Sequence, residues 1–388
     1  MRHRGTETQR LRDDSPSVSL CLCGRVPSAP FALICMALHF HPLRVTSVER
    51  DTDDAMVVGF EAPAEGFGFE PGQYLTLRTT LGGQELRRSY SICSDRALKV
   101  GIRRVDGGAF STWVHEQLKP GDLIESYPPQ GRFIMPPARR EGRHVLFIAG
   151  GSGITPILSL VSALLTREPG SRATLIYANR RTASTMFKEE LEDLKNRFMT
   201  RLSLHLVFSR EAVDAPLYGG RLDAGKLSAF LAGPVPAASV DEVFVCGPFE
   251  MNDQAEAALR GAGIPAERIH IERFGTPQSM IGQPAPHEVK AGDAAQARVT
   301  VVRDGIAREI EFLATDPSLL DAAAREGMDV PFSCKSGVCS TCRCKVLEGR
   351  VRMDRNFALD KDEVAAGFIL SCQAHPLTEH VVISFDER

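Results

Sequence analysis

Four cysteines near the C-terminus, Cys334, Cys339, Cys342 and Cys372, follow the pattern C-x4-C-x2-C-x29-C. Thiolates at this spacing hold a plant-type 2Fe-2S cluster, three from one tight loop and the fourth from a distant strand end. The residues between them fit the same chemistry. A loop curled around a cluster turns backbone N–H groups toward the sulfurs, and Ser336, Gly337, Ser340 and Thr341 are small where the chain must come closest. A structural zinc site is the competing reading. Zinc knuckles, however, pair C-x2-C with a second C-x2-C or with histidines, and here the fourth cysteine stands alone. The pattern predicts a one-electron carrier.

The segment RRSYSIC places Arg88, Tyr90 and Ser91 in an R-x-Y-S pattern. Alternate residues of a strand share a face, so positions 88 and 90 offer a cation and an aromatic ring to one ligand. A flavin needs both, the cation for its pyrophosphate and the ring against its ribityl chain or isoalloxazine, with Ser91 available to hydrogen-bond N5. Alone, such a tetrapeptide is weak, because surface strands often carry Arg and Tyr. Downstream, RVDGGAFSTWV adds Gly107 and Gly108 for close backbone approach, and Ser111 and Thr112 to open a helix whose N-terminal amides bind a diphosphate. A plain hairpin turn accounts equally well for the two glycines in isolation. The two elements together predict FAD.

In HVLFIAGGSGITP a continuous apolar run meets Gly150, Gly151, Ser152, Gly153, Thr155 and Pro156. Such a strand-to-helix turn is where a parallel sheet binds a dinucleotide pyrophosphate, on amides at a positive helix end. EVFVCGP supplies Cys246, Gly247 and Pro248 to the same crevice, with the Cys246 sulfur near a nicotinamide; a buried core cysteine is the plainer reading of Cys246. The strand ends ANRR and LVFSR leave Arg180, Arg181, Ser209 and Arg210 in adjacent loops. A 2′-phosphate wants a hydroxyl and an arginine fork, whereas a free 2′-OH prefers an acidic partner. No Asp or Glu occupies those ends, although Glu211 is adjacent, so NADPH is expected over NADH.

These motifs require three supporting units. Residues 38–140 alternate in short strands separated by PG, GG, DG and PPQG turns, the pattern of an antiparallel barrel. Residues 141–274 alternate strands with helices and read as a parallel α/β sheet. Residues 275–297 lack periodicity and read as a linker. Residues 298–388 open on a hairpin, RVTVVRDG with AREIEFLA, then a helix with Asp316 at its N-cap, Pro317 in its first turn and Gly327 at its end, before the cysteine loop. The expected architecture is a flavin-binding β-barrel, an α/β nucleotide-binding domain and a β-grasp 2Fe-2S domain.

Bulk composition narrows the function. With 388 residues, 43% hydrophobic, 24% charged and net charge −3, the chain suits two or three soluble domains and offers no basic surface for nucleic acid. No apolar stretch approaches the about 20 residues of a membrane helix. The ten cysteines do not form a disulfide framework, which points to a reducing compartment, the cytoplasm. Residues 1–35 are arginine-rich and poorly patterned, and Met36 reads as the true start.

In order and motif the chain resembles the ferredoxin–NADP reductase superfamily with a C-terminal plant-type ferredoxin domain. The resemblance is carried by R-x-Y-S at residues 88–91, G-G-x-F-S at 107–111, G-G-S-G-I-T-P at 150–156, S-R-E at 209–211, C-G-P at 246–248 and the four cluster cysteines. Within it, IYANRRTASTMFKEELEDLKNR, ERFG, CKSGVCSTCRCKVLEGRVRM and NFALDKDEVAAGFILSCQ look most like the reductase subunits of phenylacetyl-CoA epoxidases. The reductase components of steroid 9α-hydroxylases and ring-hydroxylating oxygenases share the domain order. The resemblance implies electron flow from NADPH through FAD and the cluster to a diiron oxygenase partner. It also implies that Phe274 covers the flavin until nicotinamide displaces it, a core phenylalanine being the alternative, and that Glu272 orders that end of the chain, a plain surface acid being the alternative. A reading of another class, a redox-sensing iron–sulfur module, would not need the flavin's hydride acceptor.

Overall fold

A computed structural model describes residues 38–63, 67–275 and 290–387. The expectations for residues 1–35, and for most of the linker, lie outside the described residues.

The first unit comprises β1 (His41–Thr52), β2 (Ala55–Glu61), β3 (Tyr74–Leu81), β4 (Gln84–Ser91), β5 (Lys99–Arg103), helix α1 (Ala109–Glu116) and β6 (Leu123–Ser126). The strands form one antiparallel sheet in the order β4-β3-β6-β1-β2-β5. A bridge between Ile92, just past β4, and Val100 on β5 brings the sheet's two edges together as a barrel. Alternation fills its centre with Leu43, Val45, Leu75, Leu77, Val100 and Ile102, against which Phe110 and Val114 of α1 pack.

The second unit runs β7 (His144–Gly150), α2 (Ile154–Arg167), β8 (Arg172–Asn179), α3 (Lys188–Arg197), β9 (Leu202–Phe208), α4 (Ala224–Ala232), β10 (Glu242–Gly247), α5 (Phe249–Gly261) and β11 (Ile269–Arg273). Its five strands are parallel, in the order β11-β10-β7-β8-β9. Every residue of β7 and of β10 is buried, as expected of central strands covered by helices on both faces. The fifth strand, β11, goes beyond the sequence expectation; its five residues are all only half-buried, so it carries no continuous apolar signal.

The third unit contains β12 (Gln296–Arg303), β13 (Ile306–Leu313), α6 (Leu319–Arg325), β14 (Arg343–Glu348), β15 (Val351–Met353), α7 (Lys361–Ala365), β16 (Phe368–Leu370), β17 (Ala374–Pro376) and β18 (His380–Ser384). A mixed sheet of order β13-β12-β18-β14-β16 packs against α6, and β15 pairs with β17. Helix α6 corrects the expected cap. Ser318, not Asp316, is the N-cap and its hydroxyl accepts the Asp321 N–H; Asp316 instead accepts the Leu313 N–H at 2.8 Å and pairs with Arg325 at 3.0 Å. Gly327 follows the helix with φ +73°, as its expected role at the helix end requires.

Candidate functional site

The three units meet at one cavity of about 400 Å³. The barrel contributes Tyr74, Arg88, Tyr90, Ser91, Gly108 and Ser111, the parallel sheet Ser152, Thr155, Glu272 and Phe274, and the third unit Cys334 and Cys339. Residues from R-x-Y-S, from the glycine-rich turn and from the cysteine loop thus share a single enclosure.

Strand β4 presents Arg88 and Tyr90 as its alternation predicts. Arg88 is exposed, with Nη1 donating to the Arg87 carbonyl at 2.8 Å, which leaves the rest of the guanidinium facing the cavity. The Tyr90 ring lies 5.6 Å from that of Phe110, and burial holds its phenol protonated. Ser91 is buried and sits opposite Tyr74 in the β3–β4 ladder. Gly108 is the N-cap of α1, and Ser111 lies inside the helix rather than opening it; the Ser111 hydroxyl accepts the Val105 N–H and donates to the Gly108 carbonyl, both at 3.1 Å, and so fixes the preceding loop. Gly107 and Thr112 line a separate groove of about 650 Å³ with Trp113, on the far side of the helix start. An FAD bound here would be held by residues of both spaces and by the N-terminal amides of α1.

The turn after β7 is built by close packing. Gly151 has φ +54°, and a Cβ on Gly150 would meet the Met251 sulfur at 2.7 Å. Gly247 is equally confined, 2.3 Å from Met251 Cε by the same measure. Pro248 is the N-cap of α5 and Pro156 is buried in the first turn of α2. Thr155 Oγ1 donates to the Ser152 carbonyl at 3.0 Å. Cys246 is fully buried and lies outside the cavity lining; burial, reinforced by Glu272 beside it on β11, pushes its thiol well up. Glu272 itself is pushed up to about 7 by burial, against the pull of Arg132. Phe274 is 45% exposed and lines the cavity, so the core alternative for this residue does not hold.

At the outer edge of this sheet the Arg210 N–H donates to the Arg180 carbonyl and the Ser209 N–H to the Asn179 carbonyl, both at 2.9 Å. Arg180, Arg181, Ser209 and Arg210 are all exposed, and none of the three guanidinium groups makes an ion pair among the described residues. The neighbouring Glu211 carboxylate accepts the Thr182 N–H and hydroxyl at 2.6 and 3.0 Å.

In the cysteine loop Cys334 and Cys339 sulfurs are 3.1 Å apart. The Ser336 and Cys339 N–H groups point at the Cys334 sulfur at 3.4 Å, and the Cys334 N–H at the Cys339 sulfur at 3.5 Å. Lys335 and Gly337 take positive φ of 52° and 80° to bend the loop. Cys342 and Cys372 meet on its inner side, and the Cys342 thiol is pushed well up by Cys372 and by burial, with Cys339 and Cys334 acting in the same direction. The Cys334–Cys339 pair and the Cys342–Cys372 pair interact with one another, and such a four-thiol donor set fits a 2Fe-2S cluster, which would hold the thiols deprotonated. All seven described cysteines are free.

Two contributors escaped the sequence reading. Tyr74 lines the cavity and reaches into the cysteine loop, its hydroxyl 3.2 Å from Thr341 Oγ1. Arg103 on β5 also lines it, and Nη2 donates to the Ser184 carbonyl at 2.6 Å beside the Gly151 turn. Arg87, by contrast, lies outside the cavity lining and is held by Glu85, Tyr127 and Asp329.

Fold and site define a flavin- and pyridine-nucleotide-dependent iron–sulfur oxidoreductase. Residues 42–135 match the oxidoreductase FAD-binding domain family, 147–257 the oxidoreductase NAD-binding domain and 301–377 the 2Fe-2S iron-sulfur cluster binding domain. One component of the 1,2-phenylacetyl-CoA epoxidase of Escherichia coli is 46% identical over 90% of this chain and 98% of that protein. The ferredoxin reductase component of 3-ketosteroid-9-alpha-monooxygenase from Rhodococcus rhodochrous is 37% identical over 88% and 96%. Among solved structures, phthalate dioxygenase reductase shares the fold, with a TM-score of 0.55 at 24% identity over 89% of this chain and 98% of that one. The chain belongs to the family of three-domain FAD-, NAD(P)- and 2Fe-2S-binding reductase components of multicomponent oxygenases. Among the described residues, no helix is long and apolar enough to cross a membrane.

Proposed function

We propose that this reductase draws its electrons from NADPH and delivers them to the diiron oxygenase subunits of a phenylacetyl-CoA epoxidase, in the cytoplasm, where its free thiols stay reduced. The observation that carries the reading is the shared cavity, because side chains for flavin, nucleotide and cluster all line it. Bound FAD supplies the conversion of a two-electron hydride donor into single electrons for the cluster.

The chain's residues do the rest. Arg88 and the amides of α1 bind phosphate, Tyr90 covers one face of the flavin, and Ser91 offers its hydroxyl toward N5. Phe274 occupies the other face until a nicotinamide replaces it, which its exposure at the cavity permits. Cys246 and Gly247 pack against the turn at residues 150–153, and the role of Cys246 is this packing rather than thiol chemistry. Arg180, Ser209 and Arg210 receive the 2′-phosphate. Cys334, Cys339, Cys342 and Cys372 hold the cluster.

The partner assignment is tested by reconstitution. The purified reductase should sustain NADPH-dependent turnover of phenylacetyl-CoA with epoxidase oxygenase subunits. Turnover with a steroid 9α-hydroxylase oxygenase and none with the epoxidase would overturn it.

A further inference from the structure

Strand β4 has a second face. Arg88, Tyr90 and Ser91 line the flavin cavity, Arg87 lies outside it and reaches the iron–sulfur domain, and Ser89 touches both. Arg87 is only 5% exposed, and its guanidinium donates to Asp329 Oδ1 at 2.7 Å, to the Tyr127 hydroxyl at 3.1 Å and to the Val330 carbonyl at 3.4 Å. The same group lies 4.1 Å from the centre of the Phe332 ring and is held from behind by Glu85 at 2.7 Å. Two residues on, the Ser89 hydroxyl donates to that of Ser333 at 2.9 Å. From β3, Tyr74 meets Thr341. Asp329, Val330, Phe332, Ser333 and Thr341 all fall within residues 329–341, the stretch that carries Cys334 and Cys339.

We propose that β3 and β4 form an internal docking face that fixes the cluster loop against the flavin cavity, with Arg87 and its partner Asp329 as positioning residues for electron transfer between the two centres. The step served is simple: one electron leaves reduced flavin and one ferric ion of the cluster becomes ferrous, the pyridine nucleotide having supplied the pair. Tunnelling falls steeply with separation, so loosening this face slows the transfer without touching hydride delivery. A buried guanidinium cannot shed a carboxylate cheaply, and parting from Asp329 would leave Arg87 with Glu85 as its single acidic partner among the described residues.

The test uses the full-length, cofactor-loaded protein with Asp329→Ala and its conservative counterpart Asp329→Glu. The Asp329 side chain is 56% exposed, so neither change disturbs a core. Amide hydrogen exchange should rise at residues 84–91 and 329–341 in Asp329→Ala, stay unchanged in β7 to β10, and return toward wild type in Asp329→Glu. Cytochrome c reduction, served through the cluster, should fall about tenfold, the effect of one lost hydrogen bond to a charged group, while ferricyanide reduction, served by flavin, changes less than about twofold. Wild-type exchange with wild-type cytochrome c rates, or a parallel fall in both activities, would overturn the proposal. Whichever pyridine nucleotide the wild type oxidises faster is used, so failure of the NADPH assignment leaves this test intact.

Discussion

A Cβ placed on Gly153 would lie 2.1 Å from the carbonyl oxygen of Cys246, so the turn after β7 rests directly on the backbone of β10. A methyl group there must push the start of α2 away from β10. Gly153→Ala should cost about 1–3 kcal/mol of stability and raise the KM for the pyridine nucleotide. Thermal melting and steady-state ferricyanide reduction check both, and an unchanged Tm together with an unchanged KM would show that this turn is not the nucleotide cradle.

The paired strand ends bearing Arg180 and Arg210 give a prediction about cofactor choice. Arg210→Ala should raise the KM for NADPH about tenfold and leave that for NADH near its starting value, since only the former loses a charge-assisted hydrogen bond. Equal effects on the two nucleotides would assign Arg210 to a part of the ligand they share.

Asp51 on β1 joins the barrel to the nucleotide-binding unit by accepting the Phe187 N–H at 2.9 and 3.2 Å. Burial lifts its carboxyl from 3.8 to about 6, opposed by that N–H, with Glu190 adding to the rise. The folded chain therefore keeps a proton through a range in which the unfolded chain has released it, and this group's contribution to stability falls as pH rises from 3.8 to about 6 and stays lost above. Asp51→Asn keeps the acceptor and removes the charge. Its unfolding free energy should exceed that of wild type at neutral pH, by about 1 kcal/mol after allowing for partial exposure, and converge with it near pH 4 in thermal or denaturant melts. A gap that persists in acid would reject this account.

Cys344 separates structural from ligating thiols. It lies two residues beyond Cys342, on β14 opposite Ile369 and wholly buried in the core of its domain. Cys344→Ala should retain the iron content and visible spectrum of the cluster, whereas alanine at Cys334, Cys339, Cys342 or Cys372 should abolish both. Loss of iron from Cys344→Ala with its fold intact would redraw the ligand set.

Much of this was readable in the chain because the chemistry is local. The cysteine loop, the R-x-Y-S strand and the glycine-rich turn each need fixed residue types within a few positions, and each stands where those types predicted. What remained hidden depends on distant partners. Arg87 and Arg88 are identical in type and adjacent, yet one is buried and the other faces the cavity; the difference comes from Asp329, 242 residues away. Tyr74 looked like an ordinary strand residue until Thr341, 267 residues on, came within reach. The cap of α6 failed for a smaller reason, since Asp316 and Ser318 are both good caps and only the turn geometry selects the serine.

The two-sidedness of β4 bears on how such reductases can be recombined. A chimera that exchanges the iron–sulfur domain for another keeps a working flavin site if residues 88, 90 and 91 stay with the barrel. It keeps an aligned cluster only if residues 87 and 89 are recoded to match the incoming loop. The boundary between the two modules therefore does not run between segments of sequence; it runs along a single strand, with Arg87 on the iron–sulfur side, Arg88, Tyr90 and Ser91 on the flavin side and Ser89 shared.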